Sequence, residues 1–248
     1  MSHNALLHPV KAQGWRSGLT NLWRKEQQQW WGNWNWLKQS AVWLLLLNGF
    51  YTIMLLALTH SGKTAAGMST ESAGLVFTVS FLALFINVGT VIQAQGAILD
   101  EKLRGTVAWI LSKPISRGAF VLAKCAPLPG MLLLIALVPG LVAVLQLSLA
   151  LGQMLPLMTM LLLLGWLAAS LLFFFGLTLL LGTLFNSRAP VIGIALLVVM
   201  LVSQLAQQLP PALVAQQFLL PILVELALIG SAALCLLGAI LRFTREEF

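Results

Sequence analysis

The sequence predicts an all-α integral membrane protein: six transmembrane helices preceded by an N-terminal interfacial amphipathic helix, with both termini cytoplasmic. Three observations carry that prediction. Hydrophobic residues make up 59% of the chain and charged residues only 8%, with a mean hydropathy of +0.93, whereas a soluble domain devotes roughly a quarter of its residues to charge. The apolar residues fall in long runs separated by short polar stretches, as hydrocarbon requires of helices that cross it. With both termini inside, every Lys and Arg except Lys63 lies on the cytoplasmic side, in line with the positive-inside bias. An odd number of spans or an inverted layout loses that agreement.

The same features exclude some functions. A net charge of +7 would suggest nucleic acid in a soluble chain, but here the basic residues flank apolar runs and act as topology signals, and no nucleic-acid module is visible. Cys125 and Cys235 are too few and too poorly placed for a disulfide framework and are expected to pack. The first long apolar run starts only near Val42, behind a stretch containing Lys11, Arg16, Arg24, Lys25 and Lys38, so no cleavable signal peptide is expected.

Residues 1–41 form the predicted cytoplasmic N-terminus. Met1 to Gly18, with His3 and His8, is polar and is given no chemistry. From Leu19 to Lys38, the residues Leu19, Trp23, Trp30, Trp34 and Leu37 recur at helical spacing opposite Arg24, Lys25, Gln28, Gln29 and Asn35. Indole prefers the headgroup level, so this stretch is expected to lie as a helix in the interface, anchored by Trp23, Trp30 and Trp34 and weakened at Gly32. A membrane anchor is also all that a Trp stripe by itself implies.

The six-span transmembrane domain is placed at 42–243. The first span, 42–59, is interrupted by Asn48 and Tyr51. An outer loop follows, His60 to Ser72, in which Gly62-Lys63-Thr64 imitates the end of a phosphate-binding loop. That motif needs a Gly where Ala57 stands and a strand before it, so no nucleotide site is expected here. In the second span, 74–97, Ser80, Ala83, Asn87, Thr90 and Ala94 share a narrow face. Such a face usually packs on other helices, and Asn87 and Thr90 are the residues that would line a path if it does not. The third span, 120–151, carries Pro127, Pro129 and Pro139-Gly140, which invite kinks, and Lys124, whose long stem can snorkel to the surface. The fourth, 157–185, is longer than a bilayer needs and should tilt or protrude. After the short loop at Asn186-Ser187-Arg188 comes the fifth, 191–203. An uncharged Gln-rich stretch with Pro210-Pro211, 204–221, reads as short outer helices. The sixth span, 222–243, ends in Arg242 and Arg245, and 244–248 is a cytoplasmic tail.

Between the second and third spans lies the most charged internal stretch, 98–119. Asp100, Glu101, Lys102 and Arg104 sit on a pattern that is helical until Pro114 removes a donor, with Leu99, Leu103 and Ile110 on one face. Glu101, Gly105 and Trp109 recur four residues apart on the other, so a carboxylate, a bare backbone patch and an indole are expected to point away from lipid, where a partner protein could dock. A charged loop between spans is otherwise a solvated turn.

This stretch also carries a resemblance. The run Glu101-Lys-Leu-Arg-Gly-Thr-Val, followed by Ile-Leu-Ser-Lys-Pro-Ile-Ser-Arg117 and Lys124, resembles the cytosolic loop between the second and third spans of type-2 ABC transporter permeases. The resemblance implies the membrane subunit of an exporter of the bacterial inner membrane, multi-pass and without its own nucleotide site. In that family the loop is a coupling helix that fits a cleft of a separate ATPase. The positions implied to couple are Asp100, Glu101, Lys102, Arg104, Gly105, Thr106 and Trp109. Members often carry a second acidic residue where this chain has Ala108, so one contact of the family is absent here. Arg24-Lys25-Glu26 resembles the connecting helix at the start of these permeases, and 204–221 their re-entrant segment. The implied partners are two copies of an ABC ATPase, a second permease copy or a related permease, and the lipid bilayer. ATP and Mg are implied on the ATPase alone.

Glu225 is the one acidic side chain expected within a span away from that loop. A carboxylate in hydrocarbon costs on the order of 2.5 kcal/mol at the centre, so it is a candidate for the transport path or an outer gate. Near a helix start it would instead reach headgroups or cap the helix. No histidine lies in a span and no carboxylates cluster there, which leaves haem, metal or protease chemistry without support. The alternatives from other classes are an ion-coupled secondary transporter, which should show repeats and mid-membrane ionisable residues, and a non-transport scaffold, which gives the central motif no purpose.

Overall fold

The computed structural model describes residues 18–32, 34–61, 70–112, 115–207, 213 and 217–245. His3 and His8, the Gly62-Lys63-Thr64 turn, Lys113-Pro114, Pro210-Pro211 with most of the Gln-rich stretch, and the end of the tail lie outside the described residues. Among the described residues every regular element is a helix.

Five helical stretches are long and apolar enough to cross a membrane: Trp36–Ala57, Ser72–Leu103, Arg117–Leu151, Leu157–Leu184 and Leu219–Arg245. Arg188–Gln204 is apolar but shorter; at ~1.5 Å per residue it covers about 26 Å, against a hydrocarbon core of ~30 Å.

The N-terminal stretch is two helices rather than one. Helix α1, Leu19–Trp31, ends where Gly32 donates its N–H back to the Gln28 carbonyl, and Trp34 turns the chain with φ 45°. Helix α2, Asn35–Trp43, then passes without interruption into a π-helical segment, Leu44–Gly49, and α3, Phe50–Ser61, so Lys38 belongs to the first span. A glycine with no side chain to pack is the weak point of the longer predicted helix. The Trp stripe divides with it: Trp23 and Trp30 pack against the protein core, whereas Trp34 is 71% exposed.

Helix α4, Thr70–Ala94, continues after a turn at Gln95 into α5, Gly96–Leu103, and α6 is Thr106–Leu111. The third span is built in pieces, and its prolines supply the reason. Helix α7, Arg117–Ala123, opens with Ser116 accepting from the Ala119 N–H, a side-chain N-cap. Pro127 and Pro129 lack donors, and before them the chain tightens to three-residue bonding from Lys124 to Val121, Cys125 to Leu122 and Ala126 to Ala123. After α8, Leu128–Met131, a π-helical segment Leu132–Leu137 widens the turn ahead of Pro139, the site where a proline ring would strike the preceding carbonyls of a regular α-helix; α9, Val138–Leu151, completes the span.

Helix α10, Leu157–Leu184, is the centre of the bundle. Its apolar residues are not confined to one stripe, and Leu163, Trp166, Leu171, Phe174, Phe175 and Leu179 are all buried, as expected of a helix surrounded by others. Helices α4, α9, α11 (Arg188–Ala206) and α12 (Leu219–Arg245) pack around it. The α10–α12 contact is close because glycines lie in it: a Cβ on Gly176 would stand 2.9 Å from the Ala232 carbonyl oxygen. Gly165 meets Glu225, Gly176 meets Ala232, and Leu180 meets Gly238, so α10 and α12 run in the same direction.

Candidate functional site

The central charged segment is not one continuous helix. Gly105 has φ 68°, a left-handed conformation that a residue with a Cβ enters at a cost, and it ends α5 before α6 starts at Thr106. The break divides the predicted faces: Glu101 turns inward from α5 while Trp109 on α6 is 63% exposed, and Leu99 and Ile110 are buried while Leu103 is 57% exposed. Thr106 ties the two pieces together, its hydroxyl donating to the Glu101 carbonyl at 3.1 Å. The helical spacing of Glu101, Gly105 and Trp109 therefore does not place them on one surface.

Lys124 is the residue on which the site turns. The expected snorkelling does not occur; its side chain is 5% exposed and reaches inward, with Nζ 2.7 Å from Glu26 Oε1 and 2.7 Å from Glu101 Oε1. The ammonium also lies 5.2 Å from the Phe120 ring centre. Two carboxylates around one buried cation satisfy its charge and hold α1, α5 and the end of α7 together. Glu101 Oε2 is buried with no hydrogen-bond partner in the structure.

The other charged groups of the segment bind the ends of the spanning helices. Lys102 Nζ donates to the Thr183 carbonyl in the last turn of α10 at 3.2 Å, and Arg117 donates to the Thr244 carbonyl in the last turn of α12 at 2.9 Å. Carbonyls at a helix C-terminus lack intrahelical donors and carry the negative end of the dipole, so cations are favoured there. Asp100 Oδ1 accepts from Arg188 at the start of α11 at 2.7 Å. The stretch from Asp100 to Lys124 is thus bonded to α1 and to the ends of α10, α11 and α12.

A cleft of about 730 Å³ opens beside these groups, with Lys25, Glu26, Asp100, Glu101, Arg104 and Lys124 in its wall, three charges of each sign. Trp109 and Thr106 lie at it, as does Trp30, whose Nε1 is buried without a partner. Gln39 and Gln93 also line it; Gln39 Oε1 accepts from Gln93 Nε2 at 2.9 Å and from Trp43 Nε1 at 3.1 Å, joining α2 to α4. Among the described residues no three His, Cys, Asp or Glu side chains are grouped to hold a metal.

Asn87 and Thr90 lie in the helix packing and not at this cleft: both are buried, and Thr90 donates to the Ile86 carbonyl at 2.8 Å. Glu225 is in the second turn of α12, past the positions that cap a helix, and half-buried against α10. The roles of Glu26, Lys124, Gln39, Gln93 and Arg188 are absent from the sequence-based site. A Glu and a Lys 98 positions apart carry no spacing signal.

No curated protein matches the sequence. A protein-family model described as ABC-2 family transporter protein matches residues 34–228, a region that contains the first span, the central segment with its ion pairs, and the start of α12. The bundle of long apolar helices and that match lead to one conclusion: the chain belongs to the ABC-2 family of transporter proteins and is a multi-pass membrane permease of an ABC transporter.

Proposed function

We propose that the chain is the membrane half of an exporter and that a separate ATPase subunit drives it by pushing on the segment from Asp100 to Lys113. The observation that carries this reading is the two-sided build of the segment. One side, at α6, offers the exposed Trp109; the other is bonded through Lys124, Lys102, Arg117 and Asp100 to α1 and to the ends of α10, α11 and α12. A force applied at α6 reaches the spanning helices through short charge-assisted bonds. ATP and Mg belong to the ATPase in this reading, and the permease catalyses nothing itself.

The charged end of the bundle is assigned to the cytoplasm of a bacterial inner membrane, which puts both termini there. The parallel course of α10 and α12 supports a sixth crossing, because α11 must return the chain between them; its short apolar length fits a locally thinned bilayer. Helix α1 lies at the inner interface with Trp34 toward lipid. Two permeases, identical or related, and two ATPases complete the assembly.

The test is co-purification with the ATPase encoded beside this chain. Trp109→Ala alters the exposed face of α6 and replaces no residue of the Lys124 bridge. Loss of ATPase binding and of its stimulated turnover, with the permease still inserted, is expected. An unchanged complex would overturn the coupling assignment.

A further inference from the structure

Two turns into α12, at the end of that helix remote from Arg242 and Arg245, the Glu225 carboxylate sits over Gly165 of α10. A Cβ at Gly165 would stand 2.6 Å from Glu225 Oε2, so the missing side chain is what makes room for the carboxylate. Oε1 is buried without a hydrogen-bond partner, and among the described residues Glu225 makes no ion pair. Arg242 is about 26 Å away along the helix at ~1.5 Å per residue. The surroundings are aliphatic: Leu223, Leu226 and Ile229 on α12 and Leu161 one turn from Gly165 are each 46–60% exposed on the bundle's outside. A carboxylate that neither caps a helix nor meets a cation, in a seam open to hydrocarbon, lacks a partner that brings positive charge, an N–H donor and an apolar body together.

We propose that Glu225 and the notch at Gly165 form an intramembrane site for the protonated nitrogen of a lipophilic amine, whose alkyl part lies along the α10–α12 seam. An ammonium N–H supplies the hydrogen bond and the counter-charge, and its chain covers the exposed leucines. A quaternary ammonium brings charge without a donor, and an alcohol a donor without charge, so both bind less well. The amine is a candidate substrate class for the permease and rests on the transport reading in that respect alone; the binding step involves neither ATP nor the ATPase.

The test uses membranes containing the full chain, treated with dicyclohexylcarbodiimide, which modifies carboxyl groups reachable from hydrocarbon, and reads the modified Glu225 peptide by mass spectrometry. N,N-dimethyldodecylamine, which cannot form an amide with the activated carboxyl, is the competitor; dodecanol and dodecyltrimethylammonium are the comparators. The tertiary amine is expected to lower modification by roughly tenfold, the scale of one hydrogen bond to a charged group, while both comparators leave most of it. In Gly165→Leu the notch is filled and the amine loses its protective effect. Equal protection by all three compounds would mean a protonated carboxyl with no amine selectivity and would overturn the proposal, as would absence of modification at Glu225. Because the readout is independent of ATP hydrolysis, either failure leaves the coupling of α6 to an ATPase standing, and loss of that coupling leaves the amine site standing.

Discussion

Lys124 and Glu101 meet at 2.7 Å across the junction of the third span and the central charged segment, and neither side chain is more than 19% exposed. Their contact links the start of the third span to α5, and Glu26 of α1 shares the same ammonium.

Removing that ammonium leaves two half-buried carboxylates facing each other. Lys124→Met is therefore expected to destabilise the protein by about 3 kcal/mol, the scale of breaking a buried pair from one side. Lys124→Arg should retain most of the stability. Combining Lys124→Met with Glu26→Gln and Glu101→Gln should recover part of the loss, because the uncompensated charge is then gone. Thermal unfolding of the detergent-solubilised chain distinguishes these; equal Tm for Lys124→Met and wild type would show that the bridge holds nothing.

At Gly105 only the backbone is at stake. Among the described residues nothing beyond its own chain neighbours lies within 4 Å of a Cβ built there, so Gly105→Ala meets no such neighbour, and its cost comes from φ 68°. A loss of about 1 kcal/mol is expected for Ala and less for Asn, which tolerates the left-handed region better. Stimulated ATPase activity of the assembled transporter should fall in the same order. A Gly105→Ala protein as stable as wild type would mean that the turn between α5 and α6 is not maintained.

The Asp100–Arg188 pair is as short as the Lys124 bridge, yet Arg188 is 54% exposed and Asp100 31%. Water and salt screen it, and a double-mutant cycle with Asp100→Asn and Arg188→Ala should give a coupling of no more than about 0.5 kcal/mol, smaller still at high salt. A coupling several times larger would show that this loop is shielded in the assembly.

The long apolar helices and the central segment are legible because both signals are local: hydrocarbon demands consecutive apolar residues, and charge within such a chain marks where it leaves. Lys124 is different. Its stem is long enough to snorkel or to turn inward, and the choice is made by Glu101 together with Glu26, 98 positions away. Gly105 is ambiguous for another reason, since a glycine is compatible with helical spacing and with the left-handed turn that breaks it. The break after α1 differs from it: Gly32 keeps a right-handed backbone, and Trp34, two residues on, takes the left-handed turn at φ 45°. For α11 the predicted and observed helices both cover 191–203, but whether so short a helix crosses depends on its neighbours. Glu225 stands out in the sequence by charge alone; that Gly165 faces it is a property of how α10 and α12 register.

The two cations that hold the ends of α10 and α12 also set an order of assembly during synthesis. Lys102 waits for an acceptor made 81 residues later, and Arg117 for one made 127 residues later. The platform below the bundle is complete only after α12 has been inserted. A chain released before α12 is made would leave the ribosome with Arg117 short of its acceptor at Thr244, so the central stretch is firmly held only once α12 is in place.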